Sequence, residues 1–137
     1  MDNLLDGKKF SEDLDKEYID KIKILNEFEI TPCLVVILIG NNKESITYIS
    51  MKKKKCEKLG IGILVLKMDE KIVNNDILEQ INIFNNDNNI HGIIVQLPLP
   101  KHINKTLILS SIDPYKDVDG FHYSNFGKLA LDINPLF

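Results

Sequence analysis

Apolar residues follow two rhythms along this chain. Leu14, Tyr18, Ile22 and Leu25 recur at helical spacing behind Ser11, a side chain suited to accept from free helix N–H groups, so a helix is predicted from Ser11 to near Phe28. Pro32 then introduces Cys33-Leu34-Val35-Val36-Ile37-Leu38-Ile39-Gly40, apolar without alternation, which is the pattern of a strand covered on both faces. A helix over 45–59 follows, then Gly60-Ile61-Gly62 and a second strand-like run, Ile63-Leu64-Val65-Leu66. A helix around Asp76 to Phe84 leads through an asparagine-rich turn, Asn85 to Asn89, into a third run, Gly92-Ile93-Ile94-Val95-Gln96-Leu97.

Strand, helix, strand, helix, strand in short order predicts an α/β fold of three αβα layers, with a short parallel sheet and helices on both faces. A length of 137 residues fits one domain and one substantial core. Ligands of such sheets collect at the carboxyl ends of the strands. No internal repeat is visible, and the asparagine cluster reads as a solvated loop tip.

The helix over 45–59 contains an anomaly. At about 100° per residue, Tyr48, Leu59, Lys52, Cys56, Ile49 and Ile46 share one continuous arc, while Lys54, Lys55 and Lys58 fall on the opposite, solvent-facing arc. A lysine aimed at a core or cleft must be paired, snorkel to water, or give up its proton. The last option is what acid/base chemistry at neutral pH requires. Tyr48 lies one turn away on the same face, so the two residues could present an aromatic plane and an amine to a flat ligand. A core tyrosine beside a snorkelling lysine is the alternative.

Composition narrows the field. At 44% hydrophobic and 27% charged the chain is ordinarily globular, and a formal charge of -3 offers no global attraction for nucleic acid or anionic membrane. All 17 basic residues are lysine, so the bidentate guanidinium fork that favours phosphate and guanine is missing. Cys33 and Cys56 both occupy interior positions and read as unpaired thiols of a reducing compartment. The amino terminus lacks a basic segment followed by an apolar run, and no stretch approaches membrane-spanning length.

Two further segments carry polar groups in telling places. Gln96 ends the third apolar run with Leu97-Pro98-Leu99-Pro100 directly behind it, so its amide either caps a strand end or points into the ligand crevice. Asp113-Pro114-Tyr115-Lys116-Asp117-Val118-Asp119-Gly120-Phe121-His122 sets two carboxylates and a histidine in one loop. Asp-x-Asp alone falls short of the ligand count of calcium or zinc, so no metal is predicted, and a carboxylate here is suited to an amino-substituted heterocycle. Neither Gly-x-Gly-x-x-Gly after a strand nor a Walker loop is present, and Gly60-x-Gly62 runs from helix to strand, the wrong direction for phosphate.

Taken in order, these segments resemble the bifunctional methylenetetrahydrofolate dehydrogenase/cyclohydrolase family, specifically its amino-terminal folate-binding catalytic domain. The resemblance is carried by Asp6-Gly7-Lys8, Ile39-Gly40, Ser45-x-x-Tyr48-x-x-x-Lys52-x-x-x-Cys56, Gly92 to Pro100, Lys116 to His122, Asn125 and Gly127. It implies that Lys52 is the general acid/base, that Gln96 hydrogen-bonds and tunes it, and that Tyr48 stacks on the folate. It further implies that Asp119 recognises the pterin and that Ser45, Leu97 and Pro98 line the pocket with Tyr48 and Gln96.

The same resemblance implies an enzyme that oxidises a methylene bridge on tetrahydrofolate with NADP, then hydrolyses the methenyl product to the formyl form. The family pattern is a homodimer, cytoplasmic or in a mitochondrion or other organelle, and it uses no metal. Beyond this segment the family continues into a Rossmann domain, whereas this sequence stops at Asp132-Ile133-Asn134-Pro135-Leu136-Phe137. The expectation is therefore a folate domain over 1–137 with the NADP-binding domain absent and no dehydrogenase activity alone. Alternatives are a folate-binding module without turnover, and an α/β interaction domain using its lysine-rich helix.

Overall fold

The computed structural model describes residues 6–133; the Met1–Leu5 stretch and the terminal Asn134–Phe137 lie outside the described residues. The order is α1 (Gly7–Glu27), β1 (Cys33–Ile39), α2 (Lys43–Leu59), β2 (Gly62–Met68), α3 (Asn74–Asn86), β3 (Gly92–Val95), α4 (Lys105–Ser110) and α5 (Tyr123–Ala130). The three strands are parallel in the order β2-β1-β3, with Cys33 opposite Gly62 and Leu34 opposite Gly92.

Because strand side chains alternate, central β1 feeds two cores. Val35, Ile37 and Ile39 pack with Ile93 and Val95 of β3, Ile77, Ile81 and Phe84 of α3, and Ile108 and Leu109 of α4. Val36 and Leu38 face the other way, onto Ile94 and Ile49 of α2. This is the three-layer αβα arrangement expected from the unbroken apolar run. β2 takes an edge, which is why Leu64 and Val65 of the second run stay exposed.

The chain leaves β1 toward one face through α2, and returns across the other face through α3 to reach β3. That reversal places a crevice outside the carboxyl ends of β1 and β3, where open α/β sheets take ligands. A groove of about 350 Å³ opens there between Gly40-Asn41-Asn42, Glu70 and Pro98-Leu99-Pro100.

Three local expectations are corrected. Helix α1 begins at Gly7, not behind Ser11, because the Asp6 carboxylate caps it by accepting from Lys8 N and Lys9 N, both at 3.1 Å. Ser11 instead accepts from Lys55 Nζ at 3.3 Å. Lys55 and Lys58 do not simply face solvent: both pair with the Asp15 carboxylate of α1, Lys58 at 2.9 Å. Asp15 is only 4% exposed, so this pair of lysines bolts α1 onto α2. The asparagine cluster is likewise only partly a loop tip. Asn85, half-buried in the last turn of α3, donates to Ser111 O at 2.8 Å and accepts from Asp113 N at 2.9 Å, tethering the start of the aspartate loop.

Candidate active site

Asn42 caps α2 by accepting from Ser45 N at 2.9 Å, and Gly60, at φ +80°, ends it in a left-handed turn. Between these stops the predicted arc divides. Ile49, Cys56 and Leu59 are buried, Lys52 is half-buried, and Tyr48 and Ile46 emerge into the open, Tyr48 at 60% exposure. The Lys52 Nζ donates to Gln96 Oε1 at 2.9 Å, across 44 residues of sequence. Gln96 is held in turn: its backbone N–H donates to Ile37 O at 2.9 Å, and its side-chain Nε2 donates to Leu97 O at 3.0 Å. Ser45, 1% exposed, donates its hydroxyl to the same Leu97 carbonyl at 3.2 Å. Leu97 O thus fixes which end of the Gln96 amide faces the lysine. Behind it the Leu97–Pro98 peptide is cis.

The aspartate loop approaches from the β3 side. Ile93 N donates to Lys116 O at 2.7 Å, so the loop lies along β3 as a one-residue parallel bridge to Asp117. Its two carboxylates have opposite surroundings. Asp117 is 2% exposed and accepts from Phe121 N at 3.3 Å, His122 N at 2.8 Å and Asn125 Nδ2 at 3.0 Å. Asp119 is exposed and makes no comparable set of bonds among the described residues. Desolvation by the protein around it nevertheless pushes its pKa above the ordinary carboxylate value; the Lys52 charge pulls it down and that of Asp117 pushes it up. The reach of the Lys52 charge puts Asp119 at the same end of the sheet.

Comparisons with known proteins follow the same outline. Residues 5–119 match the catalytic domain of tetrahydrofolate dehydrogenase/cyclohydrolase. The chain belongs to this family. It is 48% identical over 134 residues to the bifunctional protein FolD of Campylobacter jejuni and 45% identical over 131 residues to that of Helicobacter hepaticus. These alignments cover 98% and 96% of this chain, but 48% and 46% of the relatives. The crystal structure of the C. jejuni FolD methylenetetrahydrofolate dehydrogenase/cyclohydrolase superposes with a TM-score of 0.93, covering 96% of this chain and 47% of that one. The Trypanosoma brucei enzyme, solved with NADP and an inhibitor, is 30% identical with a TM-score of 0.89, covering 96% and 46%. The chain therefore spans about half the length of the curated relatives it matches.

Within this family fold, the sequence-predicted residues Ser45, Tyr48, Lys52, Gln96, Leu97, Pro98 and Asp119 gather around the carboxyl end of β3 and the facing side of α2. Cys33 and Cys56 sit toward the opposite end, beside His91 in an apolar pocket of about 260 Å³. Both are free, and burial raises both thiol pKa values, so neither is a ready nucleophile at neutral pH. Sequence reasoning assigned no function to Asp15, Asp117 or Asn125, all of which are buried polar residues that organise the surroundings.

The described residues do not fit the phosphates of a nicotinamide dinucleotide. The β1–α2 turn is Gly40-Asn41-Asn42, and the Asn42 side chain already occupies the N-terminus of α2. The β2–α3 connection brings Glu70 to the groove, a carboxylate where an anion would have to sit.

Proposed function

We propose that the protein provides the folate-binding catalytic domain of a methylenetetrahydrofolate dehydrogenase/cyclohydrolase and hydrolyses the methenyl bridge through Lys52. The observation that carries this reading is the 2.9 Å Lys52–Gln96 hydrogen bond, made on a family fold at the end of the sheet where ligands bind. In the chemistry derived from it, a water oxygen bonds to the electron-poor methenyl carbon while Lys52, as the amine, takes a water proton. The ammonium then delivers that proton to the leaving ring nitrogen as its bond to the carbon breaks. Loss of the hydroxyl proton leaves the formyl group, and one proton is released overall.

Gln96 accepts one N–H of Lys52 and so turns the remaining valences of that nitrogen toward the crevice. Tyr48 offers an open aromatic face for the flat part of the folate, and Asp119 accepts from the amino-substituted pterin edge. Leu97 and Pro98 form the wall behind Gln96. Ser45 acts on the ligand through Leu97, since its hydroxyl is committed to that carbonyl. In relatives of twice this length the same folate site would also serve oxidation with NADP, whose binding needs residues other than those described.

The exposure of Tyr48 and Asp119 favours a second reading, a folate binder without turnover, because proton transfer and positioning work best in a site that excludes bulk water. Decay of methenyl-folate absorbance in the presence of the chain, set beside a folate titration, separates the two. Binding with catalysed decay that Lys52→Met abolishes supports the enzyme; binding with decay at the buffer rate supports the binder. If neither binding nor decay depended on Lys52, Gln96 or Asp119, the site assignment would be wrong.

A further inference from the structure

We propose that Asp117 is a positioning residue whose buried carboxylate sets the place of Asp119 against Lys52; the inference rests on the folate reading above. Asp119 sits in an arch, residues 118–120, and both feet of that arch stand on one carboxylate. One foot is Asp117 itself, and the other is Phe121 and His122, whose backbone N–H groups donate to Asp117 Oδ1 and Oδ2. Gly120, at φ +69°, supplies the left-handed residue that closes so short an arch.

The knot is tied to rigid elements on two sides. Asp117 N donates to Asp113 O at 3.0 Å, and Asp117 bridges to Ile93 in the sheet. Asn125, 2% exposed in the first turn of α5, donates its Nδ2 both to Asp117 and to Pro114 O at 2.8 Å. Its Oδ1 is buried without a partner among the described residues, so this amide is present for its donor end. On the arch, Val118 packs so closely on Gly92 that a Cβ there would approach Val118 Cγ1 to 2.9 Å. The arch is therefore clamped between β3 and the start of α5, with Asp119 as its free side chain.

Three donors converge on Asp117, so an isosteric amide fails there: it would turn an N–H₂ toward at least one N–H. Asp117→Asn should then loosen the arch without touching the ligand. The test is a double-mutant cycle on folinate, a folate that does not hydrolyse during titration. Asp119→Ala is expected to weaken binding about 10- to 100-fold, and Asp117→Asn about 10-fold. In the Asp119→Ala background, Asp117→Asn should change binding less than about twofold, because residues acting as one unit are not additive. Full additivity, or an Asp117→Asn protein that binds normally, overturns the proposal.

If Asp117→Asn does not give the native circular dichroism spectrum, Asn125→Ala takes its place. It removes one of the three donors and leaves the carboxylate, with about threefold weaker binding expected and the same disappearance in the Asp119→Ala background. An additive effect there, or none in the native background, again overturns it. If Asp119→Ala itself leaves folinate binding intact, the folate reading fails and takes this inference with it. An additive cycle with an impaired Asp119→Ala protein sinks the Asp117 role alone.

Discussion

Helix α2 carries lysines on two faces, and they are used in opposite ways. Lys55 and Lys58 meet the buried carboxylate of Asp15, so each positive charge has a negative partner and the pair fastens two helices. Lys52 meets a neutral amide instead, while Asp119, a carboxylate that feels its charge, is left exposed. A lysine held by an amide is oriented yet not neutralised, the condition under which it can pass a proton in either direction. Residue type and helix are the same; the partner separates structural use from the chemical use proposed for Lys52.

The sharpest way to break that contrast is to exchange the two faces by mutation. Lys52→Met should slow methenyl-folate hydrolysis about 100- to 10,000-fold, the range of general acid/base contributions, with little change in melting temperature. Lys58→Met should do the reverse, lowering the melting temperature while the hydrolysis rate holds. Absorbance decay and thermal melts on both proteins decide it, and a Lys58 variant that loses activity with its stability intact would dissolve the distinction.

The next largest effect belongs to Asp119. Replacing it with alanine removes an acceptor to a charged or strongly polar edge, about 1.5–3 kcal/mol, or roughly 10- to 100-fold in folate affinity. Calorimetric titration with folinate measures it. The hydrolysis rate at saturating folate should fall less than the affinity does if, as proposed, Asp119 binds whereas Lys52 transfers protons.

How much of this was readable beforehand depends on the kind of signal. The sheet was legible because β1 is buried on both faces and leaves no polar position in its sequence. Lys52 was legible as a charge on an apolar arc, and Gln96 as an amide at the end of an apolar run. Their bond was legible only through the family resemblance, since nothing in helical or strand periodicity relates positions 44 residues apart. Asp15 carried the same kind of anomaly as Lys52, seven residues before Ile22 and three before Tyr18 on α1, but many carboxylates stand along that helix and nothing in the sequence sets this one apart. Only the family resemblance separated Asp119 from Asp117, because a loop has no period to say which of two nearby side chains turns inward.

Asp15 gives the third test. Hydrogen bonds from Lys55 and Lys58 lower its pKa below the ordinary 3.8. A carboxylate depressed in the folded state contributes stability above its unfolded pKa, and that contribution is lost as pH falls through the folded value. Asp15→Asn should therefore lower the melting temperature by roughly several degrees at pH 7 and flatten the decline below about pH 4. An unchanged acid limb would mean that the two lysines do not bolt α1 down.

The smallest effect has the opposite sign and comes from the carboxylate on the chemical side. Desolvation raises the pKa of Asp119 despite the pull of Lys52, so its ionised form costs the folded state stability. That cost is absent below the unfolded pKa, where Asp119 is protonated in both states, grows as pH rises above it, and is complete above the raised folded value. Asp119→Asn keeps the shape and removes the charge. At pH 7 it should raise the melting temperature by about one to three degrees, since much of the group faces water and screening weakens the effect. The gain should vanish in melts below about pH 3.5, under the ordinary carboxylate range. A lysine face built for cohesion should lose stability when its acid is neutralised, and one built for a ligand should gain it. If Asp119→Asn instead destabilised the protein at neutral pH, Asp119 would belong with Asp15 as a partner of its lysine, and the contrast between the two faces of α2 would fall.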